Sequence, residues 1–140
     1  MIMSSPVHAV NLKLPDLLDS KKVKATREGL PIDGVVRDAT EVFKALANPG
    51  RIRIMHALAH DELCVGDLAH ALDLSMSALS HQLGLLRRLK LVEARDVGRQ
   101  TFYRVSDEFV GHLVHDCLAH VEAGAFGSRP GHRHPHGGQR

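Results

Sequence analysis

The chain has 140 residues, of which 44% are hydrophobic, and a formal net charge of +2. A chain of this length builds one modest core, and so small a net charge does not by itself indicate a nucleic-acid binder. The sequence has no long apolar run and no basic segment followed by an apolar one at its start, so we expect a cytoplasmic protein without membrane contact. It also lacks a phosphate-binding glycine loop, a nucleophile elbow and a zinc-protease helix, so we predict neither enzymatic activity nor an organic cofactor.

The periodicity of apolar residues divides the chain into three parts. Residues 1–34 have poor periodicity and three prolines, which predicts a partly disordered N-terminal arm. Residues 35–124 predict one mainly α-helical domain with a small β-hairpin, its helices lying near 35–47, 49–60, 62–72, 75–90 and 107–123. Residues 125–140 are rich in glycine, proline, arginine and histidine, and we expect a flexible His-rich tail.

The third and fourth predicted helices are joined by a tight turn, which is typical of a helix-turn-helix. In the fourth, Met76, Leu79, Leu83 and Leu86 repeat as a heptad, and polar residues gather on the other side. That polar side is free to enter the major groove of double-stranded DNA. The predicted base-contacting residues are Ser77, Ser80, His81 and Gln82, and Ser75 before them is also predicted to bind DNA.

A hairpin wing is predicted after these helices. Residues 91–95 and 101–105 read as short strands, and the five residues between them form a turn that contains Gly98. Residues 75–104 hold six cations and two anions, so this region is locally basic. Backbone phosphates are the expected partners of Arg87, Arg88, Arg95 and Arg99.

The last predicted helix carries a continuous apolar stripe that needs a partner. We expect a winged helix-turn-helix homodimer through the first and last helices, because a two-fold axis matches a pseudo-palindromic operator.

Three segments taken together resemble one known family. Residues 46–54 (LANPGRIRI), 62–69 (ELCVGDLA) and 77–83 (SALSHQL) are similar, in this order, to segments of the ArsR/SmtB metalloregulators. The resemblance implies a winged-helix homodimer that represses a metal resistance or efflux operon. It also implies release from the operator when a divalent metal ion binds.

The resemblance further implies a metal site across the paired last helices. Asp107 and His120 match its ligands, whereas the other two ligand positions hold Phe109 and Ala123. Six of the 11 histidines lie after residue 110, and histidines and carboxylates there are the predicted replacements. The full predicted ligand set is Asp107, His112, His115, His120, Glu122, His132, His134 and His136. Imidazole and carboxylate ligands suit Ni(II), Co(II) or Zn(II).

A second family site uses a cysteine, and here Cys64 and Asp67 match it. Members with this site complete it from the N-terminal arm, where this chain offers only His8. Cys64 is alternatively a buried thiol, and Cys117 lies in the apolar stripe, which favours core packing.

Two other functions remain open at this point. Cys64 and Cys117 permit a repressor of the same fold that senses persulfide or oxidant through thiols. The tail alone permits a histidine-rich nickel storage or delivery protein. We predict His56, His60 and His70 to be ordinary surface residues, because no ligand-spaced set surrounds them in the sequence.

Overall fold

The computed structural model describes residues 19–124, which hold six helices and three strands. They are α1 (Ser20–Gly29), α2 (Asp33–Leu46), α3 (Pro49–His60), β1 (Leu63–Cys64), α4 (Val65–Leu72), α5 (Met76–Arg88), β2 (Val92–Val97), β3 (Gln100–Val105) and α6 (Glu108–Glu122). In this part of the chain no helix is both long and apolar enough to cross a membrane. The predicted tail lies outside the described residues.

The chain divides into two compact units, residues 1–43 and 44–140. The first unit contains α1, a helix inside the segment that we predicted as an arm. Helix α1 is capped by Asp19, whose carboxylate accepts a hydrogen bond from the Lys22 backbone N–H (3.0 Å). Helix α1 buries no residue, so it has no apolar face for periodicity to detect.

The core of the second unit lies between α3, α4, α5 and the sheet. Helix α3 begins as predicted, with Asn48 accepting from the Arg51 N–H (3.1 Å) and proline in the first turn. Its buried residues meet those of the next two helices. The largest fully buried side chains are Ile54, Met55, Leu68, Leu79, Leu83, Leu86 and Val92.

The sheet has three antiparallel strands in the order β1-β3-β2. The predicted hairpin is confirmed, but its strands are longer than predicted and only Gly98 and Arg99 separate them. Gly98 has a positive φ of 62°, which suits the first position of a two-residue hairpin turn.

Strand β1 was not predicted, since two residues are too few to give a periodic pattern. Leu63 pairs with Tyr103 and Cys64 with Phe102. Helix α4 therefore begins at Val65, and the predicted start near residue 62 is wrong.

Candidate nucleic-acid interface and metal ligands

Helix α5 has one buried and one exposed side. Ser75 lies immediately before it, and its Oγ accepts a hydrogen bond from the Ala78 N–H (3.1 Å). On the buried side of α5, the side chains of Leu79, Leu83 and Leu86 enter the core. On the other side, Ser77, Ser80 and His81 are exposed. The structure therefore presents three of the predicted base-contacting side chains to solvent and uses Ser75 to cap the helix.

Gln82 differs from these three residues. It is half-buried, and its Oε1 accepts a hydrogen bond from Arg51 Nη1 (3.2 Å). Arg51 Nε in turn donates to the backbone carbonyl of Ala45 (2.5 Å). This chain of bonds joins α5 to the start of α3, so Gln82 positions the helix and its Oε1 already has a partner within the protein.

Arg95 is not a free cation. Its Nε and Nη2 contact Glu62 Oε1 at 2.6 and 2.5 Å, and its guanidinium lies 5.7 Å from the centre of the Phe102 ring. The hydrogen bond that Arg95 donates to Glu62, and then the negative charge of Glu62, raise the pKa of Arg95 above its ordinary value. The predicted contact of Arg95 with phosphate would therefore compete with Glu62, a partner too far away in sequence to be recognised.

Other arginines near the wing divide in the same way. Arg104 on β3 pairs with Glu93, which lies opposite it on β2. By contrast, Arg87, Arg88 and Arg99 are exposed, and within residues 19–124 they form no ion pair. Among these arginines, the ones open to a phosphate backbone therefore lie at the end of α5 and the tip of the hairpin.

Helix α6 carries the two residues that match the family's site between subunits. Asp107 caps the helix by accepting from the Phe109 N–H (2.8 Å), and His120 is exposed near the other end. A rise of 1.5 Å per residue places these two positions about 20 Å apart along the axis. One chain alone therefore cannot bring Asp107 and His120 to one ion. Glu122 is exposed in the last turn, at the His120 end.

In the structure, His115 lies close to His56 and His60. One ring nitrogen from each of His56, His60 and His115 lies within 4.8 Å of the others. We call these three residues the histidine cluster. The prediction of His56 and His60 as ordinary surface residues did not foresee this group, whereas the exposed His70 belongs to no such group in the described part of the chain. His112 is exposed and lines a cavity of about 450 Å³ together with His60 and His115.

The two cysteines have opposite surroundings. Cys64 is buried in β1, whereas Asp67 is exposed in the first turn of α4. Neither belongs to a metal-ligating group among residues 19–124. Cys117 is exposed, so core packing within one chain is the wrong assignment for it. His8, His132, His134 and His136 lie outside the described residues.

Comparison with known proteins places these elements in a family. The profile described as "Bacterial regulatory protein, arsR family" matches residues 48–94, from the cap of α3 into β2. The HTH-type transcriptional regulator NmtR of Mycobacterium tuberculosis is 35% identical over 113 residues, which are 80% of this chain and 92% of that relative. The chain belongs to the arsR family of bacterial regulatory proteins. The resemblance found in the sequence is thus confirmed, and membership in a family of regulators agrees with the prediction that the chain is not an enzyme.

Two further matches add detail. The transcriptional repressor SmtB homolog of Synechocystis is 49% identical over 82 residues, which are 59% of this chain and 62% of that relative, less than two thirds of its length. The homodimeric winged helix-turn-helix DNA-binding domain Mb0332 (fragment 1-100) of Mycobacterium bovis has a TM-score of 0.61 at 29% identity and covers 74% of this chain and 98% of its own. The predicted fold class, mainly helical with a winged helix-turn-helix, is confirmed.

Proposed function

We propose that this protein is a cytoplasmic, homodimeric repressor of a metal resistance or efflux operon, and that Ni(II), Co(II) or Zn(II) releases it from its operator. The observation that carries the DNA-binding part is the exposed face of α5 with Ser77, Ser80 and His81, held above a fully buried row of leucines. Relatives named as a transcriptional repressor and a transcriptional regulator support it.

In the proposed complex α5 is the recognition helix. Ser77, Ser80 and His81 meet base edges in the major groove, because short polar side chains on the N-terminal half of such a helix reach them. Arg87, Arg88 and Arg99 meet phosphates, and these contacts make affinity fall as salt rises. Two copies of the helix, about 34 Å apart, fit successive major grooves on one side of the duplex.

The dimer is supported by the apolar surface that α6 leaves uncovered. Phe109 is 72% exposed and Val121 41% exposed in the single chain, and Cys117 is also exposed. Large apolar side chains on one helix favour burial against a partner. The homodimeric Mb0332 domain has the same fold and supports a second copy of this chain as that partner.

We assign metal sensing to Asp107 and His120 across the paired copies of α6. Their separation along one helix requires a ligand set shared by two chains, and an antiparallel pair brings the start of one helix to the end of its mate. Carboxylate and imidazole suit a borderline divalent ion, and Glu122 stands at the His120 end as a further ligand. A bound ion that favours one dimer geometry weakens DNA binding, and by linkage DNA weakens metal binding by the same factor.

Fluorescence anisotropy tests the proposal with metal-free protein and DNA from upstream of its own gene, titrated with Ni(II), Co(II), Zn(II) and Cd(II). We expect salt-sensitive binding and release by one of the first three ions. Asp107→Asn keeps a helix-capping side chain and removes the charged ligand, and His120→Ala removes the imidazole. Both variants should bind DNA and resist release, and His70→Ala is the matched control that should behave as wild type.

Other outcomes of that titration would contradict the proposal. Release intact in both variants would refute the assignment to Asp107 and His120. Binding indifferent to all four metals but reversed by oxidant would favour the thiol sensor. Several weakly bound metals per chain without any DNA binding would favour nickel storage or delivery.

A further inference from the structure

We infer that the histidine cluster is a second metal site, which lies within one chain and holds a Zn(II)-class ion between α3 and α6. His56, His60 and His115 each bring one ring nitrogen to within 4.8 Å of the others. His56 and His60 are four residues apart and so share one face of α3. His115 comes from α6, the helix that packs against α3.

The ring nitrogens are at most about 1.5 Å farther apart than they would be around a bound ion. Zinc–nitrogen bonds of about 2.0–2.1 Å at tetrahedral angles place two ligand nitrogens about 3.3 Å apart. The side chains of His60 and His115 are exposed and have room to rotate, so they can close the remaining gap. Three imidazoles without a thiolate suit Zn(II), Co(II) or Ni(II).

An unpartnered nitrogen supports a ligand at the cluster. His56 is half-buried, and its Nδ1 is fully buried without a hydrogen-bond partner among the described residues. Burying a polar atom without a partner costs free energy. An ordinary packed histidine would have both nitrogens satisfied. An ion coordinated by Nδ1 would supply the partner that this nitrogen lacks, because a histidine ligand binds its metal through one ring nitrogen.

Close packing of the two helices fixes the cluster. Gly111 is one turn before His115, and a Cβ added there would lie 3.6 Å from the Cβ of Ala59, the neighbour of His60. A single methyl group at Gly111 would therefore fill the space between α6 and α3, one turn away from the histidines. This packing fixes the two helices that carry the ligands before any ion arrives, so that only side-chain rotation is needed on binding.

The cluster also has an entry path. A cavity of about 450 Å³ is lined by His60, His112 and His115, with Glu108 at its wall. Three protein ligands leave the fourth position of a tetrahedral ion to water, and the cavity supplies that water. The site is thus separate from the proposed sensor residues Asp107 and His120, and it does not require a second chain.

The test uses the full chain with the competing ligands removed. The background variant carries His132→Ala, His134→Ala and His136→Ala in the tail, and Asp107→Asn and His120→Ala on α6. Co(II) is titrated into it, and visible absorption reports tetrahedral coordination. We expect one Co(II) per chain, displaced by Zn(II).

Adding His60→Gln and His115→Gln to the background variant should weaken this binding at least about 100-fold, since changes merely next to metal ligands already cost 10–100-fold. Adding His70→Gln is the matched control and should change nothing.

The same stoichiometry and spectrum after His60→Gln and His115→Gln would overturn the inference, as would a background variant that binds no Co(II). Circular dichroism checks that the variants keep their helices. A second measurement needs no substitution in the cluster: long-range ¹H–¹⁵N spectra of the imidazoles with Zn(II). Shifts at His56, His60 and His115 are expected, and shifts confined to other rings would refute the site. Because the background lacks the proposed sensor ligands, either result is independent of metal-driven release from DNA.

Discussion

Two helix pairs in this protein show how differently sequence and structure disclose function. In the α4–α5 pair, the residues that matter lie within one short segment, and their faces follow from helical periodicity. In the α3–α6 pair, His56 and His60 meet His115, which lies on a helix much later in the chain. The first pair is local in sequence and the second is not, so only the first gives a pattern that a single sequence reveals.

Polar residues serve different purposes in the two helix pairs. On α5, Ser80 is exposed and free to contact a ligand outside the protein, whereas Gln82 is bonded to Arg51 within it. Between α3 and α6, three imidazole rings lie together, and a buried nitrogen of His56 has no hydrogen-bond partner within residues 19–124. A polar residue on a recognition helix and a polar residue in a helix contact therefore need different tests.

The largest effect is expected for the buried side of α5. Leu79 is fully buried, so Leu79→Ala should lower the free energy of unfolding by about 2–5 kcal/mol through lost burial and the cavity left behind. Urea denaturation measures this change. A loss below about 1 kcal/mol would contradict the assigned burial of α5.

The contact of α3 with α6 is tested at Gly111. Gly111→Ala places a methyl group at ordinary contact distance from Ala59 and Val105 and should be tolerated. Gly111→Leu overfills this contact and should cost about 1–3 kcal/mol of unfolding free energy. It should also weaken Co(II) binding by the histidine cluster, as absorption titration would detect. Equal behaviour of the two variants would contradict close packing at this position.

The exposed side of α5 should affect DNA and not stability. Ser80→Ala, next to Leu79, should change unfolding free energy by less than about 0.5 kcal/mol. Operator binding should weaken by about 1–3 kcal/mol, because a base contact is lost. Fluorescence anisotropy and denaturation measure the two quantities on one sample. Unchanged operator affinity would remove Ser80 from the base-contacting set.

Two serines at the start of α5 separate capping from recognition. Ser75→Ala removes the side-chain acceptor of the Ala78 N–H and should cost about 0.5–2 kcal/mol of unfolding free energy. Ser77→Ala, two residues later and exposed, should leave stability nearly unchanged. Thermal unfolding of both variants tests this, and equal losses would argue against a specific cap at Ser75.

The smallest effect is expected at the wing. Arg99→Ala should reduce the slope of log affinity against log salt by about one unit, because one phosphate contact is lost. Arg104→Ala is the matched control, since Arg104 already pairs with Glu93 and should change the slope less. A larger change in this slope for Arg104→Ala than for Arg99→Ala would show that Arg104 leaves Glu93 to contact DNA.

Much of the fold was predictable from the sequence because its signals are local. The Asn48-Pro49 start of α3, the leucine heptad of α5 and the glycine of the hairpin each follow from rules that act over a few residues. Strand β1 was missed because two residues give no period. Helix α1 was missed because it buries nothing. The formation of β1 and of α1 therefore depends on interactions outside the residues that form them.

The candidate site was predictable in part for the same reason. The exposed Ser77, Ser80 and His81 follow from the heptad that buries the opposite face. The Arg95–Glu62 pair and the histidine cluster join residues that are far apart in sequence, so periodicity cannot reveal them. The i, i+4 spacing of His56 and His60 was the one available signal, and it became meaningful only once α6 brought His115 beside it.

The most direct test compares metal-driven DNA release in two double variants and the wild type, by fluorescence anisotropy under identical conditions. The account predicts that Asp107→Asn with His120→Ala stays on the operator when Ni(II), Co(II) or Zn(II) is added. It predicts that His60→Gln with His115→Gln is released like the wild type, since the site within one chain is separate from the proposed sensor. Release of the first variant, or a wild type that no metal removes from DNA, would contradict the account.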